Sequence, residues 1–433
     1  MEDALKDFIS KIPITKFLNN AGNRKLVIWG KGAIGEKLLS VLARGGEKRV
    51  SYIIDTKPFP SDFHGIKVVS PDYLKGKKSE FYCIVAIRNY YQDVEDYLKE
   101  IGYEEIMDYF FLFHKPMVIE KEQPYVDSYG NEIIGEAGMV VSITAYDSKL
   151  ELYSSINSNL KIYICNSRLH IGENFTAEEG EAYIFHNADV RFGAGNIIKS
   201  RLLLFCYEDS SVYTEENVSF GNEAGIFSYV KSSVKIEADS YFQNQCQLVG
   251  TNNSKVQIYK KTHFEDGCRL LCRDFSKIFV GSDGYFNKEA TLCANGHSIL
   301  QIGNTCNVQR FFNCVSSFGG LLKIGDDFMA SFYVSIYNND GHPIFDLENL
   351  TQINKNRDIQ IGSHVWAGIK STILSGSVIG ESCVIGANSV VNKQFPNNCT
   401  IAGIPARILR KNIAWEIEEN HINRKYWNLT EDV

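Results

Sequence analysis

Among the nine histidines of the chain, His342 has the neighbours best suited to proton transfer. It lies between Gly341 and Pro343, at the end of a strand-like run, so its ring is expected to project outward. An imidazole with an ordinary pKa near ~6.5 is partly neutral at neutral pH and can take a hydroxyl proton directly. Asp340 stands two residues earlier, and on an extended strand both side chains share a face, so the carboxylate could orient the ring. Asn339-Asp340-Gly341 is also ordinary turn chemistry. His297 reads more simply as a solvent-facing corner residue, and His364 as a structural residue or one beside a bound ligand. Lys393, Arg407 and Arg410 make a basic edge that could hold phosphate groups or merely face water. Near the other end, Gly30-x-Gly32-x-x-Gly35 follows an apolar run, with Asp55 twenty residues beyond Gly35. Such glycines permit a tight turn and let a phosphate approach a helix N-terminus, and Asp55 stands where a ribose hydroxyl would be held. A scaffold with no nucleotide carries the same pattern. The eleven cysteines contain no CxxC pair and the histidines lack the spacing of a zinc site, so no metal is expected.

Bulk properties narrow the field. Apolar residues are 44% and charged residues 22% of 433, as in an ordinary soluble globular protein. The net charge of −7 argues against nucleic acid or an anionic membrane as the main partner. The opening segment MEDALKDFISKIPITKF is amphipathic and lacks the pattern of a signal peptide. No apolar run approaches the ~18 residues that span a bilayer. Scattered single cysteines fit buried thiols in a reducing compartment, so a cytoplasmic location is expected.

Two kinds of element must position these residues. Over the first 120 residues, strands at Leu26–Trp29, Val50–Ile54 and Phe81–Ile87 alternate with helical stretches, which predicts a small Rossmann-like α/β domain of four or five parallel strands. From about Ser148 a repeat takes over. Ile236, Ile258, Val280, Ile302 and Ile324 are each 22 residues apart. In the same phase, Phe242, Phe264, Phe286, Val308 and Ala330 follow six residues later, and Leu248, Leu270, Leu292, Cys314 and Ile336 twelve later. Inward residues at 0, +6 and +12 describe a coil with three flat faces, whose rungs bury a core only by stacking. Beyond Ile324 the step tightens to six, through Ile361, Ala367, Ile373, Ile379, Ile385 and Val391. About eleven coils, at ~4.8 Å each, predict a prism about 50 Å long. The expected architecture is mainly β: an α/β domain over 1–120, a parallel β-helix over 140–410, and a C-terminal capping helix within 411–433.

The segment IQIGSHVWAGIKSTILSGSVIGESCVIGANSVVNKQFPNNCTIAGIPARILR, residues 359–410, resembles the hexapeptide-repeat acyltransferases, and the upstream Tyr337-Asn-Asn-Asp-Gly-His342-Pro fits the same pattern. It looks most like the sugar O-acetyltransferases of bacterial capsule and lipopolysaccharide pathways. The resemblance implies a left-handed β-helix, acetyl-CoA as co-substrate and His342 as general base. It further implies that Trp366, Gly368, Ala387, Asn392, Lys393, Arg407 and Arg410 line the CoA arm, with Asn392 standing where the family carries threonine. A homotrimer with sites between prisms is implied as well. The function so expected is acetyl transfer to a sugar hydroxyl during surface-glycan synthesis. The alternatives are N-acetylation of a nucleotide-linked amino sugar held partly by the N-terminal domain, and a non-catalytic sugar-binding module.

Overall fold

In the computed structural model, residues 2–57, 62–156, 159–419 and 424–426 are described. They divide into two compact units, Met1–Leu169 with Ala182–His186, and His170–Glu181 with Asn187–Val433.

The first unit opens with helices α1 (Glu2–Lys11) and α2 (Ile14–Ala21), the latter burying Ile14, Phe17, Leu18 and Ala21 at helical spacing. Strand β1 (Lys25–Trp29) follows, then α3 (Ala33–Arg44) and β2 (Val50–Ile54). A short β3 (Asp62–Phe63) pairs antiparallel with β4 (Ile66–Val69); β5 (Phe81–Val85), α4 (Tyr91–Glu100) and β6 (Tyr109–Phe111) complete the sheet. Strand order is β3-β4-β2-β1-β5-β6, and all pairings from β4 to β6 are parallel. Continuous apolar runs suit strands buried on both sides, and β5 is buried at all five positions.

The same unit contains the first coils. Glu132–Gly135 pairs in parallel with Lys149–Leu152, and Ile143–Tyr146 with Leu160–Cys165. Coiling therefore begins before Ser148. These rungs are 17 and 19 residues apart (Glu132 to Lys149, Ile143 to Ile162), so they fall out of phase with the 22-residue repeat. Aromatic packing of Phe8 and Phe113 on Tyr163, together with an ion pair from Lys16 to Asp147, ties these coils to α1, α2 and the end of the sheet.

The second unit is a three-faced parallel solenoid. Val212, Val234, Val256, Ile278, Leu300 and Leu322 are successive register partners on one face. On the next, Phe220, Phe242, Phe264 and Phe286 stack with ring centroids 5.3, 4.9 and 4.8 Å apart and nearly parallel planes. Each corner carries a left-handed residue in a column of its own: Asn217, Asp239, Lys261, Asp283, Thr305 and Asp327 in one, Lys231, Asn253, Phe275 and His297 in another. His297 is thus a corner residue, its ring stacked 4.8 Å from Phe275. Beyond Ile359 the coils shorten to 18 residues, with Ala367 paired to Ile385 and Ile373 to Val391. One face of this unit holds a 12-stranded stack whose last pairing alone is antiparallel. Its eleven parallel rungs, added to the coils of the first unit, exceed the eleven expected for the whole chain.

The expected terminal helix is corrected too. Residues 412–419 contain no helix, and Arg424–Tyr426 is a single 3₁₀ turn. The rest of that expectation lies outside the described residues. Trp415 and Tyr426 are drawn instead onto the ring of His364, which no helical spacing could satisfy together. All eleven cysteines are free, and Cys293 alone is partly exposed.

Phe264 is fully buried between two stacked rings. Phe264→Ala should cost about 3–5 kcal/mol, while Phe311→Ala, at a corner 37% exposed, should cost far less. Urea unfolding followed by circular dichroism checks both; equal losses would refute the stacked core.

Candidate active site

His342 is carried by a loop that leaves the strand Ser335–Tyr337 and returns at Ile359. Asparagines fix both ends. Buried Asn338 accepts from the Ser317 amide at 2.8 Å and donates to the Ser317 carbonyl at 3.2 Å, replacing the next strand of the ladder. Gly320 is required there, because a Cβ would lie 2.0 Å from the Asn338 amide nitrogen. Asn356 donates to the Phe318 carbonyl at 2.6 Å as the chain comes back.

Between them, Asn354 holds the His342 segment. Its amide donates to the His342 carbonyl at 2.8 Å and to Asp340 Oδ2 at 3.0 Å, and its oxygen accepts from the Ile344 amide at 2.6 Å. Gly341 turns with φ +82°, a conformation open to glycine. The Asp340 carboxylate therefore braces the loop through Asn354, and no hydrogen bond joins it to the His342 ring among the described residues. That ring is exposed and lines a cleft of about 240 Å³ with Phe318, Asp340, Pro343, Gln352, Asn354 and Asn356. The loop tip beyond it is apolar and open, with Leu347 89% and Leu350 74% exposed.

The remaining candidates lie on the 18-residue coils. Trp366 faces outward beside inward Ala367, 38% exposed, and donates from Nε1 to Ser331 Oγ at 3.2 Å. Gly368 gives its amide to the Ile385 carbonyl at 2.8 Å, and a Cβ there would come 2.6 Å from that oxygen. Exposed Ala387 sits on the next coil. Asn392 and Lys393 are exposed at the corner after Val390–Val391, two coils beyond the His342 loop and leaving the same face. Arg407 and Arg410 lie on the antiparallel strand Ala406–Lys411, where Arg407 donates to its own Ala406 carbonyl at 3.0 Å. Lys393, Arg407 and Arg410 form no ion pair among the described residues. Within one chain, then, His342 and Lys393 share one corner, whereas Trp366, Gly368 and Ala387 belong to the neighbouring face and the corner after it.

His364 is buried, with Nδ1 2.6 Å from Asp327 Oδ2 and Nε2 2.8 Å from the Trp415 carbonyl. Both partners accept, so both ring nitrogens must donate, and the ring is an imidazolium. Burial pulls its pKa down, but the bonds to Asp327 and the Trp415 carbonyl and the charges of Asp327 and Glu416 outweigh it and raise it overall. The rings of Trp415 and Tyr426 sandwich it at 4.1 and 4.7 Å. No sequence signal marks this clamp, since Asp327, Trp415 and Tyr426 are 37, 51 and 62 residues from His364.

In the first unit, the glycine pattern divides by role. Gly30 has φ +121°, with Ala86 O 2.8 Å from an added Cβ, and a Cβ on Gly35 would strike Gly30 O at 2.1 Å. Gly32 caps α3 with φ −79° and open space where a Cβ would be, so sterics do not demand glycine there. Asp55 accepts from the Lys57 amide at 2.8 Å and faces Lys31 Nζ at 3.6 Å across the turn, so its carboxylate is already engaged.

Residues 358–393 match the family model for bacterial transferase hexapeptide (six repeats). The chain carries a hexapeptide-repeat domain. Residues 22–107 match a second model, C2185-like, N-terminal. Polysialic acid O-acetyltransferase of Escherichia coli O1:K1 is 37% identical over 94 residues, 22% of this chain and 31% of that relative. Polysialic acid O-acetyltransferase of Neisseria meningitidis is 45% identical over 97 residues, 22% of this chain and 45% of that relative. The chain thus spans less than half the length of these two relatives. The crystal structure of the polysialic-acid-specific acetyltransferase NeuO aligns over 57% of this chain and 91% of its own, at 23% identity and TM-score 0.32. Among the described residues no helix is long and apolar enough to cross a membrane.

A raised histidine pKa gives stability that is whole below the unfolded value, near ~6.5, and is lost as pH rises through the folded value. The Trp415 segment should therefore loosen on the alkaline side; the charged groups around the ring are Asp327 and Glu416, with Lys425 facing Asp327. Hydrogen exchange around Trp415 at rising pH checks this. His364→Gln should remove the pH dependence, and an unchanged profile in that variant would refute the clamp.

Proposed function

We propose that the chain is an acetyl-CoA-dependent O-acetyltransferase that modifies a sugar hydroxyl of a bacterial surface glycan. The observation that carries this reading is the exposed His342 ring, lining a cleft and without a hydrogen bond among the described residues, on a loop that leaves the coil next to the hexapeptide-repeat segment. The relatives named as polysialic acid O-acetyltransferases support the acceptor class.

His342 takes the proton of the sugar hydroxyl as that oxygen attacks the thioester carbonyl, and returns it to the departing thiolate. The neutral ring accepts the proton and the imidazolium so formed gives it up, while Asn354 holds the backbone of His342. Acetyl-CoA would lie along the outer edge where Gly368 and Ala387 leave room, beside Trp366. Its phosphates would meet Lys393, Arg407 and Arg410, three cations with no carboxylate partner among the described residues. The separation of His342 from Trp366 onto different faces favours a site completed between prisms, hence a homotrimer, with the apolar loop tip reaching a second subunit.

The nucleotide-linked alternative is less favoured, because Asp55 is engaged by Lys31 and the Lys57 amide.

His342→Ala should lower turnover by ~10²–10⁴-fold with acetyl-CoA binding nearly intact. A variant keeping more than half of wild-type turnover would remove His342 from the mechanism. Light scattering should report a trimer under assay conditions; an active monomer would overturn the shared site.

A further inference from the structure

Beyond the carboxyl ends of β5 and β6, the first unit contains a polar cleft that the acetyl-transfer reading does not use. Its volume is about 160 Å³, and its walls include Arg88, His114, Ser142, Thr144, Lys161 and Tyr163. Arg88 lies three residues past β5 and His114 three past β6, while Ser142, Thr144 and Lys161 come from the first coils. Ligands of open parallel sheets bind in this position, outside the carboxyl ends of the strands.

The chemistry of the wall has one sign. Arg88 and Lys161 are basic, and among the described residues no aspartate or glutamate lines the cleft. The Arg88 guanidinium is held in place: Nη2 donates to the Tyr163 hydroxyl, and its carbon lies 5.2 Å from the Tyr163 ring and 5.9 Å from Phe113. Lys161 forms no ion pair among the described residues.

Two buried groups add the second observation. The Ala145 amide donates to His114 Nδ1 at 3.4 Å, so the ring proton sits on Nε2. That Nε2 and Ser142 Oγ are both out of solvent and have no hydrogen-bond partner among the described residues. Burial pushes the His114 pKa down to about 3, so it offers a neutral N–H donor. Buried donors without acceptors are costly, and most such groups in folded proteins meet a protein group, a water or a ligand.

We propose that this cleft binds a compact oxyanion, a phosphate or carboxylate group, between Arg88, Lys161, His114 Nε2 and Ser142 Oγ. The bound oxygens accept from all four, and the two cations balance the charge. The inference is independent of acetyl transfer at His342.

The test is thermal unfolding of the full chain titrated with inorganic phosphate and, separately, with acetate, at ionic strength held constant by sodium chloride. A saturable rise in Tm with either anion is expected; which anion acts tells a phosphoryl ligand from a carboxylate. Lys161→Met should weaken the apparent affinity about tenfold, and Ser142→Ala, which leaves the charge and fold alone, should weaken it less. Lys393→Gln, on the other basic surface, should leave it unchanged. No saturable rise beyond chloride would overturn the proposal, leaving the cleft to water. Equal affinity in wild type, Lys161→Met and Ser142→Ala would overturn it as well.

Discussion

Everything in the solenoid depends on like stacking on like at the height of one strand. Strands pair ~4.8 Å apart, and aromatic rings pack face to face at nearly that distance. Phe220, Phe242, Phe264 and Phe286 use this coincidence, with centroids 4.8–5.3 Å apart and planes within 14°. Each rung is then the template for the next. A side chain that fits one coil fits all, provided that the corners turn identically. The columns of left-handed residues meet that condition. Asn and Asp accept positive φ readily, which explains Asn217, Asp239 and Asp283. Lys261 and Phe275 do so at a cost that the ladder must offset.

A departure from the coil breaks this template and must be repaired in place. The loop carrying His342 adds residues between rungs, so Leu322 pairs with Ile359, 37 residues on, instead of 22. Asn338 and Asn356 satisfy the Ser317 and Phe318 backbone that a continuing coil would have bonded. A side-chain amide offers N–H donors and a carbonyl acceptor, the same kinds of group as a peptide, so asparagine can stand in for a missing strand. The loop is thus tied at its root, with His342 presented by a scaffold, and its tip is closed on itself by Asp346, whose carboxylate accepts from the Glu348 and Asn349 amides.

Legibility in the sequence followed the same logic. The 22-residue phase of Ile236 through Ile324 and the six-residue phase of Ile361 through Val391 were readable because stacking forces equivalence between rungs. Where rungs are unequal, at Glu132 and Ile143, the phase vanished and the start of coiling was placed too late. The outward placement of His342 was legible from its neighbours, while the support of its loop was not. Asn354 acts on Asp340 and His342 across 12 to 14 residues without periodicity, and Asp340 was read as a partner of the ring although its carboxylate meets Asn354. The glycines after β1 were legible as a turn, but only the backbone separates Gly30 and Gly35, which sterics demand, from Gly32, which they do not.

An open solenoid has two exposed strand edges, each a template for aggregation. A capping helix is one answer, and the amphipathic look of residues 412–428 suggested it. The chain uses antiparallel strands instead. In the first unit Tyr125–Val126 runs antiparallel to Glu132–Gly135, the first rung of its face. In the second unit Ala406–Lys411 folds back on Cys399–Gly403, the last rung of another. A reversed strand exchanges hydrogen bonds with the last rung, donating as well as accepting, and breaks the parallel register there. At the C-terminal end the reversed strand carries Arg407 and Arg410. The column position occupied by Asp327 and His364 completes the closure: a corner residue that would face water becomes the charged seat for Trp415 and Tyr426.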